Sequence, residues 1–489
     1  MTVALDRARV LIDAARREYA DVPHAREQLA ECSARLDEPL RVALAGSLKA
    51  GKSTLLNALV GQHIAPTDAT ECTRVVTWYR RGATPSVTAW YDGDRTMDVP
   101  VIRREGRLTF DFGELTASRV DRLDVEWPAR TLKSTTIIDT PGTSSLTRDV
   151  SARTFDMLTP EDSTSGADAV VYLMRTLNAT DTAFLGRIND SVGGDTGPLG
   201  VIGVVSRADE VGAGRMDAMM SAKEVAARFS VELERTGLCQ AVVPVAGLLA
   251  LGARTLKQSE YSAFVALAST SPDDLQLAML SADRFSRPDI DLPVDAATRA
   301  ALVDRFGLFG IRMAVTLIRL GTRDSPGLAA ELVERSGLGE LRQVIDVQFG
   351  QRTDQLKTHS ALVALERVLV EEPRASTSEI RAEASRMLGD VHGFRELRLL
   401  GQLRARSVHL PEESLAELSR IIGAYGIDTS ARLGLAPDDG IELQRKTAFD
   451  AVRLWRTKSG HPLLDQFTSR ACSIAARSAE GILAELDRA

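Results

Sequence analysis

Residues 46–53 of this 489-residue chain read Gly46-Ser47-Leu48-Lys49-Ala50-Gly51-Lys52-Ser53, which fits the phosphate-loop pattern G-x-x-x-x-G-K-[ST]. The residues before it, 42–45, are apolar, as expected for a buried parallel strand. The residues after it, 54–60, are rich in leucine and are followed by a glycine, which is typical of a short helix. The pattern therefore lies on a strand, a loop and a helix, and the N-terminus of that helix is suited to bind an anion.

The residues of this loop are predicted to hold the phosphates of a nucleotide. Glycine at the two fixed positions lets main-chain N–H groups turn inward toward phosphate oxygens. Lys52 is expected to reach the β- and γ-phosphates and to act in catalysis, while the Ser53 hydroxyl ligates Mg²⁺. The residues expected to contact the nucleotide here are Gly46, Ser47, Lys49, Ala50, Gly51, Lys52, Ser53 and Thr54.

The polar stretch 65–74 follows the helix and is rich in threonine. A threonine that binds both Mg²⁺ and the γ-phosphate makes such a loop a nucleotide-dependent switch. Thr70 and Thr73 both fit this role, and we favour Thr73 as a metal ligand and catalytic residue. The alternative is a plain threonine-rich surface loop.

The next motif, Asp139-Thr140-Pro141-Gly142, ends an apolar strand predicted over 135–139. Asp139 is expected to bind Mg²⁺ through a water, and the N–H of Gly142 is expected to meet the γ-phosphate. Short alternating strands are predicted within 86–128, at 86–91, 99–103 and 121–127, and we expect them to extend the sheet. They explain the long separation between this motif and the phosphate loop.

Two later strand ends are predicted to hold the base. Apolar residues 201–205 lead into Ser206-Arg207-Ala208-Asp209, which has the spacing of the [NT]-K-x-D motif of GTP-binding proteins. Asp209 can accept two hydrogen bonds from the edge of guanine that adenine cannot donate, so we predict GTP and GDP as the ligands. The residues expected to contact the base are Ser206, Arg207, Asp209, Ala246 and Gly247.

The sequence on either side of residues 41–290 is patterned as helix. Leu5, Ile12 and Tyr19 form one apolar stripe that must be buried against another helix, and the late helices are the candidate partner. A helix of roughly 30 residues is predicted over 339–370, and it would be about 45 Å long. We therefore predict an α/β phosphate-loop GTPase domain over 41–290, with a mixed, mostly parallel sheet flanked by helices. We also predict an elongated all-α neck and stalk over 291–489, on which neck helices from 1–40 pack.

Composition limits the partners that this chain can have. The net charge of −7 argues against a general nucleic-acid binder, since a basic excess is needed to neutralise phosphates. We find no charged-then-apolar leader and no run of 18 apolar residues, so we expect a cytoplasmic protein whose contact with a membrane is peripheral. The expected place of that contact is the inner face of the plasma membrane.

The stretch 393–410 combines leucines with four arginines in an otherwise acidic protein. A basic amphipathic helix can lie on anionic lipid headgroups, so this stretch is the candidate membrane contact. The alternative is a helix of the bundle whose basic side faces solvent.

The residue after Gly142 is Thr143, where small switch GTPases carry the glutamine that orients the attacking water. Another group must therefore supply catalysis. Lys49 is the candidate, because a cation in the phosphate loop could lie over the developing charge, and self-association across the nucleotide face could aim it. The alternative is a solvated surface lysine.

Taken together, the four motifs, the missing glutamine, the N-terminal helices and the long helical tail resemble bacterial dynamin-like proteins. More narrowly, the chain resembles the isoniazid-inducible dynamin-like proteins of mycobacteria, over essentially its whole length. This resemblance implies hydrolysis of GTP to GDP and phosphate, dimerisation through the nucleotide domains, and membrane binding or remodelling through the tip of the stalk. It also implies a link to isoniazid tolerance. Eukaryotic dynamins carry a serine at the position of Lys49, and that serine helps to hold a catalytic monovalent cation. The resemblance therefore leaves two alternatives: Lys49 replaces this cation by its own charge, or hydrolysis is slow.

Two functions from different classes follow. The first is a large GTPase that couples GTP hydrolysis to self-association and to membrane remodelling at the cell envelope. The alternative is a GTP-regulated scaffold, which acts through a protein partner such as a related dynamin-like subunit and does not remodel membranes itself. A GTPase bound to RNA is disfavoured, because the net-acidic helical tail offers no basic RNA-binding module.

Overall fold

A computed structural model describes residues 3–66, 75–93, 95–104, 107–112, 116, 119–142, 154, 157–158, 166–193, 200–212, 214–235, 239, 241–390, 392–405 and 408–487. Eleven strands are found in these residues. They are β1 (Leu40–Gly46), β2 (Val76–Arg81), β3 (Ser86–Tyr91), β4 (Arg95–Asp98), β5 (Val101–Arg104), β6 (Arg107–Phe110), β7 (Val120–Trp127), β8 (Thr135–Asp139), β9 (Ala169–Met174), β10 (Gly200–Ser206) and β11 (Ala241–Val245).

Nine of these strands form one mixed sheet in the order β11-β10-β9-β1-β8-β2-β7-β3-β4. The five strands from β11 to β8 are parallel, whereas β2 runs antiparallel to β8 and parallel to β7. Strands β1, β9 and β10 are buried along their whole length, because helices cover both faces of the parallel part. This confirms the predicted mixed, mostly parallel α/β fold. Strands β3 and β7 extend the sheet as predicted, and β4, which was not predicted, adds the edge strand. The prediction that the strand at 99–103 also extends the sheet is wrong, because the corresponding β5 pairs with β6 in a separate two-stranded sheet.

Nineteen α-helices accompany these strands in the described parts of the chain. They are α1 (Val3–Glu18), α2 (Pro23–Asp37), α3 (Lys52–Val60), α4 (Ala179–Gly193), α5 (Ala218–Arg235), α6 (Gly247–Arg254), α7 (Gln258–Ala268), α8 (Pro272–Ala278), α9 (Ala282–Phe285), α10 (Ala296–Arg319), α11 (Ser325–Arg335), α12 (Leu338–Ile345), α13 (Thr353–Glu371), α14 (Ser378–Asp390), α15 (His392–Ala405), α16 (Glu412–Ile421), α17 (Thr429–Leu433), α18 (Ile441–Ser459) and α19 (Gln466–Leu486). None of the described helices is both long enough and apolar enough to cross a membrane.

The N-terminal helices α1 and α2 pack on the late helix α13. The stripe of Leu5, Ile12 and Tyr19 is fully buried there, in one hydrophobic cluster with Leu362 and Leu365. The Tyr19 hydroxyl donates a hydrogen bond to the carbonyl of Glu372, just beyond the end of α13.

A buried ionic joint connects the sheet to both of these helical segments. Asp168, immediately before β9, accepts hydrogen bonds from the Arg35 guanidinium (2.7 Å) and from the main-chain N–H of Arg41 (2.8 Å). The hydroxyl of Ser360 on α13 donates to the same carboxylate at 2.7 Å. One carboxylate therefore fixes α2, the start of β1 and the middle of α13 relative to one another.

Helices α10 and α11 share a core with helices that follow the last strand. Phe306 and Leu328 lie in one buried cluster with Leu249 and Phe264, and the rings of Phe264 and Phe306 meet edge to face at 5.1 Å. Packing is therefore continuous across residue 290, where the sequence places a domain boundary. The division into 1–40, 41–290 and 291–489 stays a prediction.

The long helix predicted over 339–370 is broken in the structure. A π-helical segment, Asp346–Gly350, separates α12 from α13. Phe349 in this segment is fully buried in the core beneath the sheet. A π-helical turn inserts one extra residue into the helix, so it can turn this aromatic side chain toward the sheet where a regular helix would not.

Helices α15 to α19 form a separate hydrophobic cluster in which Trp455 is fully buried. In the candidate membrane stretch, Leu399 and Leu400 are buried in this cluster, and Glu396 is buried beside Arg432 and Ser478. These two leucines thus pack inside their own bundle, as the alternative interpretation expects. The side chains of Arg398, Arg404 and Arg406 lie outside the described residues.

Candidate nucleotide site

The phosphate loop lies between the carboxyl end of β1 and the start of α3, as the sequence predicts. Gly46 has φ 143°, and a Cβ at this position would lie 2.2 Å from the carbonyl oxygen of Leu173 on β9. Gly51 precedes α3 with φ 89°. Both glycines are therefore needed for the main chain to follow this path. The first turn of α3 then directs its main-chain N–H groups into the loop.

Lys52 begins α3 and points back into the loop. Its Nζ donates to the carbonyls of Gly46 (3.1 Å) and Ser47 (3.2 Å). Burial lowers the pKa of Lys52, and the nearby carboxylate of Asp139 opposes that change. A lysine held at this point offers a cation to a phosphate that enters the loop.

Arginines from two other helices hold the opposite end of α3. Arg254 of α6 donates to the carbonyls of Ala58 and Leu59, and Arg342 of α12 donates to the carbonyl of Leu59 at 2.6 Å. Burial, with a further contribution from the charge of Arg342, lowers the pKa of Arg254 to about 10. These contacts satisfy C-terminal carbonyls of α3 and place positive charge at the negative end of its dipole.

Ser53 and Asp139 meet at the edge of the loop. The Ser53 hydroxyl donates to Oδ2 of Asp139 at 2.7 Å. The other oxygen, Oδ1, is buried and has no hydrogen-bond partner among the described residues. Burial raises the pKa of Asp139, although Lys52 and the Ser53 hydroxyl lower it in part. A hydroxyl and a carboxylate with a spare buried oxygen are the hard oxygen donors that Mg²⁺ prefers, so the residues present fit this ion.

The loop after β8 lies directly against the phosphate loop. A Cβ on Gly142 would lie 2.9 Å from the Cα of Leu48. Thr140 donates its hydroxyl to the carbonyl of Leu44 at 2.9 Å, and Thr154 donates to the carbonyl of Pro141 at 3.0 Å. Gly142 is thus fixed next to the place where the terminal phosphate is expected.

The structure does not test the roles predicted for two other residues, Lys49 and Thr73. Lys49 is exposed and has φ 60°, in the left-handed region that L-residues rarely adopt. Thr70 and Thr73 lie outside the described residues, as does Thr143. The predicted roles of Lys49 and Thr73 therefore remain predictions.

A pocket of about 130 Å³ connects the phosphate loop to the predicted base motif. It joins loops that are about 150 to 200 residues apart in sequence but lie at adjacent strand ends, where ligands bind in open parallel sheets. Its lining includes Ala50, Gly51, Thr54, Leu173, Ser206, Arg207, Asp209, Glu210, Gly247 and Leu248. Ala246 is buried beside the pocket, where its N–H donates to the carbonyl of Ser336 at 2.9 Å.

The polar end of this pocket is formed by the turn after β10. Ser206 donates its hydroxyl to the carbonyl of Met174 at 3.2 Å, and Arg207 has φ 51°. The Arg207 guanidinium pairs with Glu210 at 2.8 Å. Asp209 is 7% exposed, and burial raises its pKa to about 6. Its carboxyl group is therefore largely ionised at neutral pH, as an acceptor of guanine N–H groups must be.

One part of the site could not be expected from the motifs. Gly307, inside α10, lies next to Asp209 and Leu248 at the back of the pocket. The sequence signal for it is a glycine within an apolar helical run, which can indicate a break in the helix but does not show what packs against that break.

Together, this fold and site define a GTPase of the phosphate-loop class. The sequence model of the Dynamin family matches residues 42–206. The chain is 53% identical over 486 residues, 98% of either chain, to the isoniazid-induced protein IniC of Mycobacterium tuberculosis, with the same identity in two strains. It is also 34% identical over 113 residues to a bacterial dynamin-like protein of Nostoc punctiforme, which covers 21% of this chain and 16% of that one. The chain therefore belongs to the bacterial dynamin-like proteins, and its family domain implies GTP binding and hydrolysis.

Two solved structures of an oligomerised bacterial dynamin pair, described as providing a mechanism for long-range sensing and tethering of membranes, align with 99% of this chain and 74% of theirs. Their identities are 12% and 13%, with TM-scores of 0.32 and 0.31. Scores this low are too weak for a comparison of domain arrangement.

Proposed function

We propose that this GTPase couples GTP hydrolysis to self-association and to membrane binding or remodelling at the inner face of the plasma membrane, as a peripheral cytoplasmic protein. The observation that carries the proposal is the pocket between the phosphate loop and Asp209, in a chain that matches IniC over 98% of its length. The name of that relative describes it as isoniazid-induced, and we propose a link to isoniazid tolerance by this resemblance.

The roles proposed for the site follow its geometry. Lys52 and the main-chain N–H groups of the phosphate loop bind the β- and γ-phosphates, and the N–H of Gly142 contacts the γ-phosphate. Asp209 accepts the guanine N–H groups, while the Arg207 stem lies over the base. Further contacts come from Gly46, Ser47, Ala50, Gly51, Thr54, Ser206, Ala246 and Gly247.

Ser53 and Asp139, with Thr73 from the switch loop, are the residues that would hold Mg²⁺. The ion would neutralise charge on the phosphates during hydrolysis. Within the chain, Asp139 also keeps the Ser53 hydroxyl oriented through the hydrogen bond at 2.7 Å.

Lys49 is proposed to supply positive charge to the transition state when two nucleotide domains meet. Its exposure and its position on the loop support this, since a partner surface could press the side chain over the phosphates. Turnover per molecule should then rise with protein concentration. Lys49→Ala should remove that rise while GTP binding at low concentration is retained.

Contact with the membrane is proposed through the basic side of 393–410. Leu399 and Leu400 are buried in the bundle, so the contact would be electrostatic and would not involve insertion of these leucines. Burial of these leucines is equally compatible with the scaffold alternative, because such a helix can present its arginines to an acidic protein partner.

The deciding experiment measures GTP turnover by the full-length chain across protein concentrations, with and without liposomes of anionic lipid. Turnover that rises with concentration and again with liposomes supports assembly on membranes. Turnover that is indifferent to lipid favours the scaffold. Liposome sedimentation of a variant with Arg404→Glu and Arg406→Glu tests the contact itself, and unchanged sedimentation would exclude this stretch. Lipids without net charge are the matched control, because they keep the surface and remove the attraction.

A further inference from the structure

The break in α10 lies against the carboxylate that is proposed to read the base. Gly307 has φ 63° and ψ 172°, which interrupts an otherwise continuous helix. A Cβ at this position would lie 3.5 Å from Oδ2 of Asp209 and 4.0 Å from Cδ2 of Leu248. Both of these residues line the nucleotide pocket. This conformation is essentially restricted to glycine, so the sequence meets a specific backbone requirement here.

The residues that follow the break in α10 contact two elements beside the pocket, the loop after Asp209 and helix α6. Arg312 donates to the carbonyl of Gly214, in the loop after Asp209, and to the carbonyl of Met279 at 2.5 Å. On the other side, a Cβ on Gly310 would lie 3.0 Å from Cδ1 of Leu249 on α6. Helix α6 begins at the pocket residue Gly247. The segment 307–312 therefore contacts the loop after Asp209 and helix α6, which both border the nucleotide pocket.

The aromatic residues beside the break hold it in place. Phe306 and Phe309 are 0% and 2% exposed. A Cβ on Gly252 of α6 would lie 2.9 Å from the ring of Phe306, so this ring packs directly on the helix. With a buried ring on each side, Gly307 has little freedom to move away from Asp209.

We propose that Gly307 is a positioning residue for guanine recognition, and that the break in α10 sets where the Asp209 carboxylate stands. The inference rests on the proposed role of Asp209 in reading the base. The same contact would make α10 respond to whether a guanine nucleotide is bound. GTP and GDP carry the same base, so a contact at Asp209 reports that the site is occupied and not which phosphates are bound.

The test compares the affinities of GTP, ITP and ATP for wild type and for Gly307→Ala. ITP lacks the exocyclic amine of guanine, so it loses one of the two hydrogen bonds to Asp209. The added methyl group would contact the carboxylate and force the main chain from its present conformation. We expect GTP affinity to fall about 10- to 100-fold, the effect of losing a hydrogen bond to a charged acceptor. ATP affinity should change less than about twofold, since its phosphate contacts are retained, and the ratio of GTP to ITP affinity should approach one.

Gly321→Ala is the matched control. Gly321 follows α10 with φ 113°, and a Cβ there would have no neighbour within 4 Å. The substitution strains the main chain in the same way but brings nothing near Asp209, so all three affinities should equal those of wild type.

A second measurement does not depend on the folding of a variant. Hydrogen exchange of wild type should show that GTP and GDP protect the amides of 303–312 equally, and that ATP protects them less. Protection by GTP alone, or equal protection by GTP and ATP, would overturn the proposal. So would an equal loss of all three affinities in Gly307→Ala, or no loss at all.

The failure of this inference can be separated from failure of the proposed function. If Asp209→Asn leaves the ratio of GTP to ATP affinity unchanged, the base is read elsewhere and the function of Asp209 is wrong. If Asp209→Asn narrows the ratio while Gly307→Ala does not, only the role of Gly307 is wrong.

Discussion

Removal of the Asp168 carboxylate is expected to weaken the joint between the sheet, α2 and α13. Asp168 and Arg35 are 3% and 4% exposed, so water screens their attraction little. Asp168→Ala removes the carboxylate that lies 2.7 Å from this buried guanidinium, and loss of one partner from a buried ion pair costs about 3–5 kcal/mol. The main-chain N–H of Arg41 and the hydroxyl of Ser360 lose the same acceptor.

The expected loss is large enough to measure by urea unfolding. At a slope of about 2 kcal/mol per M, a loss of about 4 kcal/mol lowers the midpoint by about 2 M. Trp78, one of four tryptophans, contributes a fluorescence signal from this region, because the Arg41 guanidinium lies 4.9 Å from the centre of its ring. Ser360→Ala should cost about 1 kcal/mol, the value of one hydrogen bond. Asp289→Ala, in an exposed ion pair, should leave the midpoint unchanged.

The same carboxylate determines the response to acid. Burial alone would raise the pKa of Asp168, but the charge of Arg35 and the hydrogen-bond donors outweigh burial and lower this pKa below its usual 3.8. A lowered pKa means that the group stabilises the fold above pH 3.8, and that this stability is lost as the pH falls through the folded value. Wild type should therefore lose more stability in acid than Asp168→Asn.

A urea midpoint for Asp168→Ala within about 0.5 M of wild type would refute the claim that the buried ion pair stabilises this joint, since a shift that small corresponds to a surface ion pair.

Three further predictions concern the nucleotide pocket. Lys52→Ala should lower GTP affinity at least about 100-fold in a direct binding assay, because charge-assisted contacts to two phosphates are lost. Tight GTP binding by this variant would contradict the phosphate-loop assignment. Asp209→Asn should lower the ratio of GTP to ATP affinity at least about tenfold, because one of the two carboxylate oxygens that accept guanine N–H groups is replaced by an NH₂ donor. Asp289→Ala is the surface control. In wild type, the ratio of GTP to ATP affinity should be constant above the Asp209 pKa of about 6 and should fall below it, as the carboxyl group gains a proton. The two triphosphates titrate alike, so a ratio that does not change with pH would mean that Asp209 does not contact the base.

The sequence predicts the parts of the site that depend on local patterns. The strand, loop and helix around Gly46 and Lys52 are recognised because the glycines, the lysine and the flanking apolar runs are close together in the chain. The positions of Asp139 and Asp209 follow because each ends a buried strand, and parallel strands bring their carboxyl ends to one edge of the sheet. Ser53 meets Asp139 for this reason, although 86 residues separate them.

Contacts between distant helices are harder to predict. Gly307 is 98 residues beyond Asp209, and no pattern in the run Phe306-Gly307-Leu308 predicts a contact with that carboxylate. The helical periodicity over 339–370 continues through the π-helical segment, because one inserted residue changes the apolar pattern too little to be noticed. The sequence also could not show that Leu399 and Leu400 are buried in the bundle, since a basic amphipathic pattern fits both a membrane surface and a bundle helix.

Burial of the N-terminal stripe on α13 has a consequence for the synthesis of this protein. Tyr19 bonds to Glu372, which is 353 residues later in the chain. At about 5–20 residues per second, roughly 20–70 s pass before the ribosome makes the partner of α1 and α2. Helices of 16 and 15 residues are close to the length of about 12–15 residues below which isolated helices are marginal in water, so we expect this segment to stay largely unfolded until α13 is made. Nascent chains that stop before α13 should therefore aggregate or be degraded, whereas loss of the last helices should leave the N-terminal packing intact.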